Sequence, residues 1–171
     1  EARCNVKYRD VLSLAQSRKK DEVVEKCKVS LSSSSFFWLF SSGSSGRPKG
    51  VIHTLSAAVS TYQNYAVGVL GIGSEDRILS TAKIPFAYGF GNSFSFPILA
   101  GAQVLLTPKR FDAKGFVAAI DRYQPTIVFS TPAMYSDVMA KRIARHFPSV
   151  RYFVSAGETL PTSIYEGWFK K

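Results

Sequence analysis

Acidic residues are scarce in this chain: 12 Asp and Glu stand against 22 Lys and Arg in 171 residues. Cysteine and histidine are scarcer, at two each. Cys4 and Cys27 are too few for a disulfide scaffold. They form no CxxC pair and lie near no histidine at ligand spacing, so a zinc site has no support. They read as ordinary thiols of a reducing compartment, with one 4–27 bridge as the alternative. His53 and His146 have no triad partner in the sequence and read as structural or exposed. The chain has no Gly-x-Ser-x-Gly elbow, no HExxH and no internal repeat. No basic-then-apolar leader follows Glu1, so a secretory signal is not expected. Charge nearly vanishes from the middle, where residues 36–108 carry only Arg47, Lys49, Glu75, Asp76, Arg77 and Lys83. The uncharged stretch from Ile84 to Pro108 is broken by Gly89, Gly91, Asn92, Pro97 and Gly101. That pattern is poor for a membrane span and good for a buried helix followed by a buried strand.

What is present is apolar: 46% of residues are hydrophobic, which excludes a disordered chain, and the length fits one domain. The net charge of +10 would suit a nucleic-acid or membrane-surface binder. Its distribution argues otherwise. Residues 1–35 hold eight positive and five negative charges, and residues 109–171 hold ten and five. Excess charge on both flanks reads as a solvated surface, or as a face that meets further protein.

Residues 1–35 form a distinct region, with a short helix around Val11–Ala15 and a Ser-rich linker ending at Ser35. Residues 36–171 read as an α/β unit. Phe36–Phe40 is a continuous apolar run, which predicts a strand buried on both faces. The spacing of Ile52, Leu55, Val59, Tyr62, Ala66 and Val69 predicts a helix over 51–70. Strands are expected at 77–82, 102–107, 125–130 and 150–155. Helices are expected at 89–99, from the cap Asp112 to Tyr123, from the cap Thr131 to about Arg145, and from Pro161 onward. Strands alternating with crossover helices predict a mostly parallel sheet with flanking helices. The last helical pattern runs into Lys171 without a closing element, so the chain is expected to be a piece of a longer protein.

The sharpest local feature is Ser41-Ser42-Gly43-Ser44-Ser45-Gly46-Arg47-Pro48-Lys49-Gly50. Three glycines let the backbone bring its N–H groups to an anion. Four hydroxyls add donors, and Arg47 and Lys49 add charge suited to phosphate. The spacing is neither Walker A nor GxGxxG. A flexible Gly/Ser linker is the plain alternative, but linkers seldom carry Arg-Pro-Lys-Gly after an apolar strand.

This segment resembles the phosphate-loop signature of the adenylate-forming, AMP-binding superfamily, with Ser45 where Thr is usual. Pro85-Phe86-Ala87-Tyr88-Gly89-Phe90-Gly91-Asn92 resembles that family's second signature, and its Ala-Tyr pair is similar to benzoate–CoA ligases. Ser155-Ala156-Gly157-Glu158-Thr159-Leu160-Pro161 resembles the segment that packs on adenine. The resemblance implies part of the large N-terminal domain of an ATP-dependent carboxylate–CoA ligase acting on an aromatic acid in the cytoplasm. It implies ATP, Mg²⁺ and coenzyme A as the molecules used. The loop Ser41–Gly50 would hold phosphates, Ala87, Tyr88 and Gly89 the acid, and Gly157, Glu158 and Thr159 the adenine. Phe90 reads as core. No catalytic residue is assigned: the family's metal-binding Glu, ribose-binding Asp and C-terminal-domain Lys match nothing here, Lys170 and Lys171 included. The remainder of the N-terminal domain and a C-terminal domain are the implied partners, with no nucleic acid and no membrane span. The alternative is a non-catalytic basic α/β module that binds phosphate or nucleic acid.

Overall fold

Four short strands line up because their residues can be buried on both faces. In the computed structural model, which describes residues 35–41 and 48–169, these are β3 (Arg77–Ser80), β4 (Gln103–Leu105), β5 (Ile127–Ser130) and β6 (Tyr152–Ser155). They pair in the order β4-β3-β5-β6, all parallel, with Ile78 opposite Ile127 and Val128 opposite Phe153. Every residue of β5 is buried. Alternation along the strands sends Ile78, Ile127 and Phe129 to one face and Leu79 and Val128 to the other.

Helices cover both faces. Helix α1 starts as Leu55–Thr61 and widens into a π-helical turn, Tyr62–Val67. Helix α2 runs Ala87–Phe90, a π-helical Gly91–Ser95, then Phe96–Ala100. Both pack on the Ile78 face through Ala66 and Phe96. Helices α3 (Ala113–Tyr123), α4 (Pro132–Ala140) and α5 (Thr162–Phe169) cover the Leu79 face, where Phe116, Tyr135 and Val138 are buried and Trp168 packs against them. Burial of each large side chain such as Phe116 or Phe129 contributes roughly 1.5–3 kcal/mol. The mostly parallel α/β architecture expected from the sequence is therefore present.

Three local expectations are corrected. Residues 51–54 are not helical: Lys49–Thr54 form strand β2, which pairs antiparallel with β1 (Ser35–Ser41). The helix begins only after Thr54, whose Oγ1 accepts the Ala57 N–H at 3.2 Å. Second, β1 is not buried on both faces. It lies in a two-stranded ribbon apart from the main sheet, so only one face is covered: Phe37 and Leu39 are half-buried while Trp38 and Phe40 are exposed. Third, α4 stops at Ala140 rather than near Arg145, because Arg142 takes the left-handed conformation that a helix cannot continue through. The expectations at the ends hold closely. Asp112 caps α3 by accepting the Gly115 N–H at 2.8 Å, and Thr131 caps α4 with Pro132 at its first position. Expectations about residues 1–34, Cys4 and Cys27 included, lie outside the described residues.

At the amino ends of the strands, Asp76 is buried and ties several elements together. Arg151 donates to both its oxygens, at 3.1 and 2.8 Å, Thr126 donates at 2.6 Å, and the Gly73 N–H at 2.9 Å. Burial would push this carboxyl up, but those donors outweigh it and hold its pKa below the ordinary value. Among the described residues no helix is long and apolar enough to cross a membrane.

Candidate functional site

The ribbon carries the Ser41–Gly50 segment at one end and a cavity wall at the other. Ser41 pairs with Lys49 and Phe40 with Gly50, so these residues close a hairpin, and Lys49 is exposed there. Residues Ser42–Arg47 lie outside the described residues. Further along, His53 is paired with Phe37, and their rings stack 4.9 Å apart at 8°. Phe37 stacks in turn on Phe90 of α2 at 4.3 Å, which pins the ribbon against that helix.

Between ribbon, α1 and α2 lies a cavity of about 340 Å³. Phe37 and Leu39 come from β1, Ala58 and Tyr65 from α1, and Ala87 and Tyr88 from the start of α2. Ala156, directly after β6, closes one side. The walls are mostly aromatic and aliphatic, and the size is that of a small-molecule site. The Tyr88 hydroxyl lies 3.2 Å from the carbonyls of both Ser130 and Val154, so it is anchored to the carboxyl ends of β5 and β6. Burial pushes its phenol, and that of Tyr135, well above the ordinary tyrosine range. The ring of Tyr88, not its hydroxyl, is what a cavity ligand would meet. Parallel sheets bind ligands at these strand ends.

Gly89 does not line the cavity. It is buried against the preceding loop, and a Cβ there would sit 2.0 Å from the Lys83 carbonyl oxygen. Its absence of side chain is what lets α2 begin at Ala87 and place Tyr88. The Lys83 ammonium fixes that loop by donating to the carbonyls of Thr107 at 2.6 Å and Lys109 at 2.7 Å.

Gly157, Glu158 and Thr159 follow Ala156 and are exposed, beside the cavity rather than in it. Gly157 has φ +96, a conformation that glycine adopts freely. Glu158 accepts the Ala133 N–H at 3.3 Å and so caps the start of α4. This bond holds the whole segment next to the strand ends.

The family model described as "AMP-binding enzyme" matches residues 4–171. The chain belongs to the AMP-binding enzyme family. Its relatives include a benzoate–CoA ligase from Thauera aromatica, 37% identical over 134 residues, which cover 77% of this chain and 25% of the relative. An anthranilate–CoA ligase from Pseudomonas aeruginosa is 35% identical over 133 residues, again 77% of this chain and 25% of the relative. Among solved structures, a benzoate–CoA ligase from Burkholderia xenovorans LB400 superposes with a TM-score of 0.73 at 32% identity. That match covers 84% of this chain and 29% of the other. The chain spans about a quarter of the length of the curated relatives it matches.

In this AMP-binding enzyme chain, the second and third motif stretches meet at the carboxyl ends of β5 and β6, where Ala87 and Tyr88 line the cavity together with Ala156. Phe90, read as core from the sequence, lines the cavity, as does His53, read as structural or exposed. Phe37, Ala57, Ala58 and Tyr65 also line it and carried no sequence signal taken as functional, while Asn92 lines it from within the second signature without having been given a role.

Proposed function

We propose that the protein is an ATP-dependent, AMP-forming ligase that joins an aromatic carboxylic acid to coenzyme A. The observation that carries this reading is the aromatic cavity at the carboxyl ends of β5 and β6, flanked by the root of Ser41–Gly50 on one side and Gly157–Thr159 on the other. Relatives named for benzoate and anthranilate support an aromatic acid over an aliphatic one. In this reading the acid ring lies against Ala87 and Tyr88, with Gly89 setting their position. The hydroxyls, N–H groups, Arg47 and Lys49 of Ser41–Gly50 hold the ATP phosphates, and Gly157, Glu158 and Thr159 flank adenine. A carboxylate oxygen attacks the α-phosphorus, the bond to the bridging oxygen breaks, and pyrophosphate leaves. The thiol of coenzyme A then attacks the acyl carbon and AMP leaves, the thiol proton passing to solvent. Pre-placed cations and N–H groups lower the first barrier by meeting charge as it develops. Mg²⁺ bound with ATP would supply charge to shield its phosphates; the described residues contain no group of three or more His, Cys, Asp or Glu able to hold a metal. Residues 1–35 are a separate N-terminal region and 36–171 part of the nucleotide-binding domain, completed by further protein. ATP and coenzyme A fit a cytoplasmic enzyme.

Pyrophosphate release by the full-length protein, with ATP, coenzyme A and a panel of acids, tests the reading. Release driven by benzoate-type acids supports it. No acid-dependent release, together with polynucleotide binding that falls steeply with salt, would favour the basic binding module instead.

A further inference from the structure

The carbonyl of Val154, near the end of β6, is gripped from both faces of the sheet. On the cavity side the Tyr88 hydroxyl lies 3.2 Å away, and on the opposite side the Tyr135 hydroxyl donates at 2.9 Å. Tyr135 stands on α4 and is 3% exposed, within the core on the Leu79 face. Phe116, Phe153 and Trp168 surround its ring, with centroids 6.4, 6.1 and 4.7 Å away. A phenylalanine would make the same ring contacts, and burying a hydroxyl costs free energy unless it is bonded. What the hydroxyl adds is the bond to that carbonyl.

The residues after Val154 are those the ligase reading uses. Ala156 lines the cavity, and Gly157 turns beside it with φ +96. The start of α4 fastens this stretch at both ends: Tyr135 holds Val154 before it, and the Ala133 N–H donates to Glu158 after it. Between the two, the Ala156 N–H donates to the Ser130 carbonyl at 3.2 Å. We propose that Tyr135 is a positioning residue. It touches no substrate; from the far side of the sheet it sets where Ala156 meets the acid and where Gly157 meets adenine, sharing the Val154 carbonyl with Tyr88 as one clamp. This rests on the ligase reading above and adds a residue to it. The sharing has a consequence. The single Tyr88 proton lies equally close to the Ser130 and Val154 carbonyls, so it can serve Val154 when the Tyr135 hydroxyl is gone.

The test uses the full-length enzyme and the acid that drives the fastest pyrophosphate release. It compares Tyr135→Phe, Tyr88→Phe and the double variant at a temperature where unfolding curves show each one folded. Tyr135→Phe should lower kcat/KM for the acid about tenfold and also raise the KM for ATP about threefold or more, because Ala156 and Gly157 move together. The double variant should lose about tenfold more than the product of the two single losses. Ile120→Val is the control for stability alone: it trims the same core and costs a comparable amount, but lies on α3, and both KM values should stay within about twofold. A folded Tyr135→Phe with unchanged kcat and KM values overturns the inference while the ligase reading stands. So do equal kinetic losses in Ile120→Val, or a double variant whose losses simply multiply. If the double variant does not fold, Tyr135→Phe against Ile120→Val decides. Absence of pyrophosphate release with every acid in the unmodified enzyme overturns the ligase reading, and the inference with it.

Discussion

Replacing Gly89 by alanine should damage the acid site without touching it. In an ordinary exposed helix this change stabilises by up to about 1 kcal/mol. Here the new Cβ would lie 2.0 Å from the Lys83 carbonyl oxygen, 2.4 Å from its carbon and 2.9 Å from the Ala82 carbonyl carbon. Ordinary contact begins at 3.4 Å, so one backbone segment must give by roughly 1.4 Å. Neither yields easily. Lys83 is tied to Thr107 and Lys109 through its ammonium, and its carbonyl accepts the Phe86 N–H at 3.0 Å. On the other side, Tyr88 is tied to two strands. Overpacking against backbone should cost about 1–3 kcal/mol. Because Ala87 and Tyr88 must move with the helix start, kcat/KM for the acid should fall about 100-fold, the usual effect of a displacement near 1 Å. Gly73→Ala is the control: no atom lies within 4 Å of its added Cβ, and it should stay within about 0.5 kcal/mol of the parent. Urea unfolding and steady-state kinetics on the full-length protein read both effects. A Gly89→Ala protein as stable and as active as the Gly73→Ala control would refute the reasoning.

Three further outcomes are expected. Ala87→Phe should fill the mouth of the cavity and lower kcat/KM for benzoate-type acids about 100-fold while leaving the KM for ATP within about twofold; equal losses for acid and ATP would place Ala87 outside the acid site. Asp76 has a depressed pKa in the folded state, so its contribution to stability is fully present above the ordinary carboxylate value of about 3.9 and is lost as pH falls through the lower native value. Asp76→Asn should therefore lower the unfolding free energy, read from urea titration at pH 7, by about 2 kcal/mol yet narrow that gap at pH 3, and a gap independent of pH would contradict the assignment. Tyr88→Phe removes the hydroxyl shared by the Ser130 and Val154 carbonyls and should destabilise by about 1 kcal/mol, measured by chemical unfolding.

How far the sequence carried depends on whether the governing interaction is local. Asp112 and Thr131 announce α3 and α4 because a cap acts over three residues. Ile127–Ser130 reads as a central strand because every position is buried, leaving no alternation to misjudge. The ribbon was not legible for the opposite reason. Val51 and Ile52 fit a helical period as well as a strand, and what decides between them is pairing with Phe40, Leu39 and Trp38 across the Ser41–Gly50 segment. An apolar run such as Phe36–Phe40 has one composition whether one face or two are covered. The cavity follows the same rule. Ala87 and Tyr88 stood out through their motif, whereas Phe37, His53 and Tyr65 reach the same space only through the ribbon and the packing of α1. Gly89 sits inside the motif, yet its role is steric support, which no pattern within the motif distinguishes from lining.

The most direct test of the central claim is a crystal structure of the full-length protein with a non-hydrolysable aryl-adenylate. The account predicts the aryl ring within about 4 Å of Ala87, Tyr88 and Asn92, and the adenine beside Gly157. A ring bound elsewhere, with the cavity between the ribbon and α2 filled by protein side chains, would contradict it.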